Sequence, residues 1–360
     1  YFKTPETFRS GQMVIAVFDK DVDYDMIEVN NERQITNADI LWSWNIIFSE
    51  GYDPDNVANQ IQKGGYTFMS RDLGAIIDPE DAVSGTQYNG TQLASSCGNV
   101  YQWGRKDPFP GVPDYTSANH NYMTNLWFAP GFTDIVSLQA NIQRPWNRVT
   151  ERNIFPPSTD SLCINIQNKG LSAADVLELE EKNPHLWIQA EGNLFTDESA
   201  KALWGNPDHS LVIGDKTMYD PCPPGWKVMS RTAWNALTEN GTAVGKVGVK
   251  SGDSYIDGRG ILYMDSWFAC SGDLYSHNSG GNPQGGTNFT YSSHWLDGSF
   301  DASVVFFNGT GKKSGDDAPA GSGSAGRTDR GVAVRCMKVI PGPVNPGGEE
   351  IDPIEKEEWN

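Results

Sequence analysis

The chain has 360 residues, and its 27 Lys and Arg against 46 Asp and Glu leave a formal net charge of −19. Because nucleic acids and anionic lipids are bound by Lys and Arg that neutralise phosphates, this charge excludes readers of DNA, RNA and acidic membranes. No apolar run reaches the roughly 18 residues of a membrane-spanning helix, so we predict no membrane insertion by this segment. Its 38 Gly and 21 Pro are typical of a loop-rich protein that favours strands.

Two apolar segments near the start of the chain, 14–17 and 40–48, are predicted strands. The second is apolar on both faces, which predicts a place inside a sheet rather than at its edge. Between them, acidic residues recur at every second position: Asp19, Asp21, Asp23 and Asp25. Close carboxylates suit calcium, but the segment lacks the Gly and Glu of an EF-hand loop. An exposed acidic hairpin is therefore the favoured interpretation, with calcium as the alternative.

Two segments carry helix signals. Residues 171–182 have Ser172 as a candidate N-cap, with Asp175 at the capping-box position. Residues 231–239 follow a second candidate N-cap, Ser230, and stop at an Asn-Gly pair. The rest of the chain shows few such signals, so we expect a low helix content.

The second half of the chain is rich in Gly, Ser and Asn between residues 240 and 330, which predicts short strands between long loops. Residues 331–340 alternate between apolar and polar positions and are predicted as one last strand. Residues 341–360 have the composition of a Pro/Gly linker followed by an acidic tail.

Six strings carry a family resemblance: ILWSW (40–44), MSRDLGA (69–75), YQWGRKDPF (101–109), DPCPPGWKVMSRTAW (220–234), ACSG (269–272) and GVAVRC (331–336). In order and spacing they resemble the C-terminal module of Bacteroidetes fimbrillin-like surface proteins, the "major paralogous" domain. The resemblance covers roughly residues 12 to 340. It implies a single module at 1–340, with 341–360 as linker and tail.

That module is similar to the C-type lectin and formylglycine-generating-enzyme fold. The resemblance therefore implies an α+β, C-type-lectin-like fold: a small twisted antiparallel sheet, two flanking helices and long loops that carry the function. It also implies an extracellular setting on a bacterial cell surface, in a fimbrium or at the outer membrane. The enzymes of this fold need two nearby cysteines for copper, whereas the closest pair here is 48 residues apart, at 222 and 270. Oxidase chemistry is therefore not expected.

Two loops have the residue types of a sugar site, in which aromatic faces stack on the pyranose and amides or carboxylates bond its hydroxyls. The first gives the candidate ligand-binding residues His277, Asn278, Asn282, Gln284, Asn288, Tyr291, His294, Trp295 and Asp297. The second gives His120, Tyr122 and Trp127. The alternative is that 291–295 is a core strand and that Trp127 belongs to the core.

Other residues of the shared strings are predicted to be structural. The tryptophans in question lie beside apolar neighbours: Trp42, Trp44, Trp103 and Trp226. A second set is predicted to form a buried charge network that braces the loops: Arg71, Asp72, Arg105 and Asp107. In the resembled module Cys222 lies in a turn and Cys336 in the last strand, so they form the most plausible disulfide, with packed free thiols as the alternative.

Together these features favour a non-enzymatic adhesin module that binds a glycan or a host surface protein through its long loops. No cofactor is expected apart from the calcium interpretation given above. The alternative is a structural module that pairs with other pilin subunits or caps a fibre without a small ligand. A surface enzyme on the same fold is the third hypothesis.

Overall fold

The computed structural model describes residues 11–20, 38–77, 83–84, 87–88, 96–109, 163–166, 170–184, 187–190, 194–205, 216–251, 253–270, 287–296, 301–309, 312–324, 328 and 330–339. The first strands are β1 (Gly11–Phe18), β2 (Ile40–Phe48), β3 (Gln60–Lys63), β4 (Tyr66–Met69), β5 (Val83–Ser84), β6 (Gln87–Tyr88), β7 (Val100–Gln102), β8 (Cys163–Ile166) and β9 (Trp187–Ala190). The later strands are β10 (Trp226–Val228), β11 (Val244–Ser251), β12 (Ser254–Tyr263), β13 (Ser266–Ala269), β14 (Thr287–Leu296), β15 (Asp301–Asn308), β16 (Asp317–Ser324), β17 (Gly331–Val334) and β18 (Cys336–Lys338). The α-helices in these ranges are α1 (Ala173–Lys182) and α2 (Arg231–Leu237).

The largest element is a curled sheet of eight strands, shaped like half a barrel, in the order β13-β12-β11-β16-β15-β14-β17-β7. Its pairs are antiparallel except for β14 with β17. A second sheet has the order β10-β18-β4-β3. The described protein is therefore mostly β, and the predicted α+β, C-type-lectin-like fold with its small sheet is wrong.

The reason for this error is visible in the Gly-rich segments that composition predicted as loops. A Cβ atom on Gly321 of β16 would lie 2.7 Å from the ring of Phe306 on the neighbouring strand β15. A Cβ atom on Gly260 of β12 would lie 2.4 Å from the ring of Trp267 on β13. These glycines make room for aromatic rings across the sheet, so here they belong to long strands rather than to loops.

Helix α2 packs on the curled sheet and closes an aromatic core. Ser230 caps the helix, accepting a hydrogen bond from the Ala233 N–H at 3.0 Å, as predicted. The buried ring of Trp234 lies edge-on to Phe307, with centroids 5.2 Å apart, and its indole N–H donates to the Gly321 carbonyl at 3.1 Å. Phe268 completes the cluster at 5.0 Å from Phe307. We call this cluster the α2 core.

Helix α1 begins after Ser172, whose hydroxyl accepts a hydrogen bond from the Asp175 N–H at 3.2 Å, again as predicted. Its buried apolar residues, Ala173 and Val176, belong to a second apolar cluster, which also contains Trp103 and Trp204 with ring centroids 5.0 Å apart. The two helices therefore pack on two different apolar clusters.

The last predicted strand, 331–340, is divided in two by the structure. β17 belongs to the eight-stranded sheet and β18 to the four-stranded sheet, with Arg335 between them. The Arg335 guanidinium is fully buried, donates to Asp72 at 2.8 Å and to the Ser266 hydroxyl at 2.8 Å, and lies 3.7 Å from the centre of the Phe268 ring. Burial raises the pKa of Asp72, although Arg335 opposes this. The charge pair therefore fixes the point where the chain changes sheets.

Strands β1 and β2 form a separate antiparallel pair, which we call the ribbon. Within the described residues β2 pairs only with β1, so the interior position predicted from its apolar sequence is not seen there. Leu41 is 54% exposed and Trp44 is 47% exposed. Within the described residues, no helix has the length and apolar character needed to cross a membrane.

Candidate functional site

A cavity of about 360 Å³ lies beside the ribbon, and we call it the ribbon cleft. Strand β2 supplies Trp42, Ser43, Trp44, Asn45 and Ile47. The other walls are formed by Tyr101, Lys106 and Asp107 and by Met218, Asp220 and Pro221. Two of the six strings that carry the family resemblance, 40–44 and 101–109, thus meet at one cavity with the beginning of a third, 220–234.

The two tryptophans of β2 have different surroundings. Trp42 is half-buried, with the Lys106 ammonium 4.4 Å from its ring centre and the Tyr219 ring 5.9 Å away. Trp44 pairs with Ile15 in the ribbon and has no aromatic or cationic partner among the described residues. The structural role predicted for Trp44 is wrong in the sense that its ring is not in a core. Trp103 and Trp226 are fully buried, as that prediction required.

The charged floor of the cleft is internally paired. Lys106 donates to Asp107 Oδ2 at 2.6 Å and to the Ser43 carbonyl at 2.9 Å, and it also contacts the Ser43 hydroxyl. That hydroxyl donates to Asp107 Oδ1 at 2.8 Å. Burial lowers the pKa of Lys106, while Asp107 opposes the shift. Asp107 is buried as predicted, at 1% exposed, but its ion-pair partner is Lys106. The other members of the predicted network are also buried but have different charged partners, since Asp72 pairs with Arg335 and Arg105 lies near Glu180.

The turn that bears Pro221 is held by a second carboxylate. Asp220 Oδ1 accepts from the Cys222 N–H at 2.8 Å and from Lys216 at 2.7 Å, and Oδ2 accepts from the Val228 N–H at 2.9 Å. Burial raises the pKa of Asp220, and Lys216 opposes that shift. A disulfide joins Cys222 to Cys336 of β18. This wall of the cleft is therefore tied covalently to the four-stranded sheet.

Asn45 differs from its neighbours in the cleft. Its side-chain Oδ1 and Nδ2 atoms are shielded from solvent, and within the described residues neither has a hydrogen-bond partner. Buried polar groups in native proteins are almost always paired, so an unpaired amide at a cavity calls for an explanation.

Beneath the ribbon, α1 contributes a further buried carboxylate. Glu180 Oε1 lies 4.0 Å from the Arg105 guanidinium, and both side chains are almost fully buried. Burial raises the pKa of Glu180 to about 8, with Arg105 opposing the shift. Arg105 is also held by the Pro184 carbonyl at 2.6 Å, close to the end of α1. These groups brace the ribbon from below rather than line the cleft.

The ligand-binding residues predicted from sequence are placed only in part. Residues 277–286, Asp297 and the 119–127 patch lie outside the described residues. Asn288, Tyr291, His294 and Trp295 lie on β14, where Asn288 pairs with Phe307 and Tyr291 with Val304 of β15. The structure thus makes 287–296 a sheet strand, and the sugar site predicted around it stays a prediction.

The calcium interpretation stays a prediction. Asp19 Oδ1 accepts a hydrogen bond from the Asp39 N–H at 2.9 Å, next to the ribbon, while Asp21, Asp23 and Asp25 lie outside the described residues. In the described part of the chain, no group of three or more His, Cys, Asp or Glu is placed to hold a metal ion.

The sequence patterns described above do not predict the ribbon cleft. Its residues Trp42 to Asn45 belong to the apolar run ILWSWNIIF, which is typical of an ordinary core strand. The available signal was the pair of polar residues, Ser43 and Asn45, at alternate positions of that run. Alternate residues of a strand lie on one face, and two polar residues on a face that packs only against a core would lack hydrogen-bond partners.

Comparison with known proteins adds no relative to this description. No protein-family model, curated protein or solved structure matches the chain. The resemblance to fimbrillin-like modules therefore stays a hypothesis, and the function has to be argued from the cleft.

Proposed function

We propose that this protein is a non-catalytic adhesin module of a bacterial cell surface or pilus tip, and that it binds a glycan in the ribbon cleft. The observation that carries the proposal is Trp44, an aromatic residue that is 47% exposed and lines a cavity together with polar side chains. Protein sites that bind sugars combine an accessible aromatic ring with polar groups, because the ring covers C–H groups while the polar groups bond hydroxyls.

Two further features support the proposal. The polar side chains Ser43, Lys106 and Asp107 are bonded to one another, so they rigidify the floor of the cleft. The Cys222–Cys336 disulfide favours an oxidising compartment, as outside the cytoplasm. The resemblance to fimbrillin-associated modules points in the same direction.

A glycan array followed by isothermal titration calorimetry tests the proposal. We expect at least one glycan to bind and Trp44→Ala to weaken that binding by about tenfold or more, the equivalent of about 1.4 kcal/mol. Leu41→Ala is the matched control, because Leu41 is an equally exposed apolar residue of β2 that does not line the cleft. The proposal is wrong if no glycan binds at millimolar concentration, or if Trp44→Ala and Leu41→Ala behave alike.

A further inference from the structure

The charged side chains of the ribbon cleft are already bonded to other groups of the protein. Lys106 and Asp107 are paired with each other and with Ser43. Both oxygens of Asp220 accept hydrogen bonds, from backbone N–H groups and from Lys216. Because each charge is balanced inside the protein, a ligand gains little from it, and the accessible apolar residues of the cleft become the main source of affinity.

Two large apolar residues of the cleft are open to solvent. Trp44 of β2 is 47% exposed, and Met218, in the turn that precedes β10, is 65% exposed. Single exposed apolar residues are common on protein surfaces, but two that line the same cavity offer apolar contacts to one ligand. Methionine suits such a place, because its flexible thioether adapts to apolar groups of different shapes.

The turn that carries Met218 is fixed by hydrogen bonds. The Asp220 N–H donates to the Thr217 carbonyl at 3.2 Å and closes a β-turn with Met218 at its second position. Lys216 donates to the Asp220 carbonyl at 3.1 Å and to the Cys222 carbonyl at 2.6 Å. Met218 is therefore exposed on a braced turn, and the backbone beside it loses little freedom when a ligand binds.

The turn lies against the same strand that supplies Trp44. Alternation along β2 places Trp44 on the same face as Trp42. The Trp42 ring lies 5.9 Å from the ring of Tyr219, the residue next to Met218. The Tyr219 hydroxyl donates to Glu181 of α1 at 2.6 Å, which holds this contact in place. One ligand in the cavity of about 360 Å³ can therefore contact both Trp44 and Met218.

We infer that Met218 is a specificity-determining residue of the ribbon cleft, and that the cleft prefers sugars that carry a methyl group, as in an N-acetyl or a 6-deoxy sugar. This inference rests on the proposed function and narrows it to one chemical class. Trp44 covers the C–H face of the sugar ring, and the Met218 thioether packs on the methyl group. A hydroxyl at the same position would lose its water without gaining a partner from Met218.

The first test compares sugars that differ at one position. L-Fucose is paired with L-galactose and N-acetylglucosamine with glucose, and each is titrated at millimolar concentration into the whole chain by calorimetry. We expect the methyl-bearing member of at least one pair to bind about fourfold or more tightly, the gain from burying one methyl-sized group. Equal affinities in both pairs, tighter binding of the parent sugars or no binding by any of the four would overturn the inference. A glycan from the array that Trp44→Ala weakens would still support the proposed function.

The second test replaces Met218. Because the residue is 65% exposed, we expect Met218→Ala to leave the melting temperature unchanged and to abolish the preference for the methyl-bearing sugar. Met218→Leu keeps an apolar side chain of similar size and should retain the preference. Met264→Ala is the matched control, since Met264 is 45% exposed and does not line the cleft. A preference that survives Met218→Ala, or that Met264→Ala removes equally, would overturn the assignment.

A direct readout of contact comes from nuclear magnetic resonance of the methionine methyl groups. The Met218 signal is identified by its absence in Met218→Leu. The methyl-bearing sugar that binds more tightly should shift this signal and leave the Met264 signal in place. An unshifted Met218 signal at saturating sugar would show that Met218 does not touch the ligand, and the inference would fail.

Discussion

The α2 core and the ribbon each contain a tryptophan, but the surroundings of the two rings differ. In the α2 core, Trp234 is 1% exposed, its ring meets Phe307 and its indole N–H is bonded to Gly321. In the ribbon, Trp44 is 47% exposed and lies beside an amide that has no partner in the described structure. The first region is saturated and contributes stability, whereas the second leaves contacts open. Incomplete packing of an aromatic residue is therefore a better sign of a binding site here than aromatic content.

The largest test of this contrast is a pair of tryptophan truncations. Trp234→Ala empties a packed site and should lower the free energy of unfolding by about 3–5 kcal/mol. Trp44→Ala removes a side chain that is 47% exposed and should cost less, about 1–1.5 kcal/mol. Urea denaturation followed by circular dichroism measures both. Similar losses in the two variants would show that Trp44 belongs to a core after all.

Removal of the disulfide should have the next largest effect. Because Cys222 and Cys336 lie 114 positions apart in the chain, the Cys222→Ser/Cys336→Ser variant should lose about 2–5 kcal/mol of stability through the greater freedom of its unfolded chain. It should also bind its glycan more weakly, since Pro221 is next to the released cysteine. Dithiothreitol should reproduce the loss in the wild-type protein and leave the variant unchanged. A wild-type protein that melts alike with and without reductant would contradict this expectation.

The pH dependence of stability separates the two regions with a smaller effect. Glu180 lies beneath the ribbon, and burial raises its pKa to about 8, against about 4.3 in an unfolded chain. The folded form holds a proton that the unfolded form has lost, so this stability is complete below about pH 4 and is lost as the pH rises towards 8.

Glu180→Gln removes that titration. The variant should match the wild-type protein near pH 4 and exceed its free energy of unfolding near pH 8 by on the order of 1–3 kcal/mol. Urea titrations at intervals across this range provide the measurement, with Trp234→Ala as a control whose deficit should not vary with pH. If the difference between Glu180→Gln and the wild-type protein were constant with pH, Glu180 would not be the titrating group.

The features of the fold that the sequence predicts correctly are those that depend on residues close together in the chain. Ser172 and Ser230 cap their helices as expected, because a cap depends on residues three positions away. The Gly-rich strands were not predicted because Gly321 and Gly260 lie against aromatic rings of neighbouring strands, and these contacts are not visible in the local sequence. The division at Arg335 was missed for the same reason: its partner Asp72 is 263 residues away in the chain.

The cleft likewise depends on contacts between residues that are far apart in the chain. Whether Trp44 is exposed is decided by what packs on its face of the ribbon, which no residue of β2 specifies. The burial of Asp107 was easier to predict, since it is followed by the apolar residues Pro108 and Phe109. Asn45 could have been singled out as a polar residue inside an apolar run, but its unpaired amide emerges only from the packing.

The disulfide has a mechanical consequence. Pro221 is a wall of the cleft, and the next residue is bonded covalently to Cys336, the first residue of β18. When a ligand held against this wall is pulled away from the chain that follows β18, the tension passes through two sulfur atoms. The 113 residues from 223 to 335, with the α2 core and most of the curled sheet among them, are bypassed by the force.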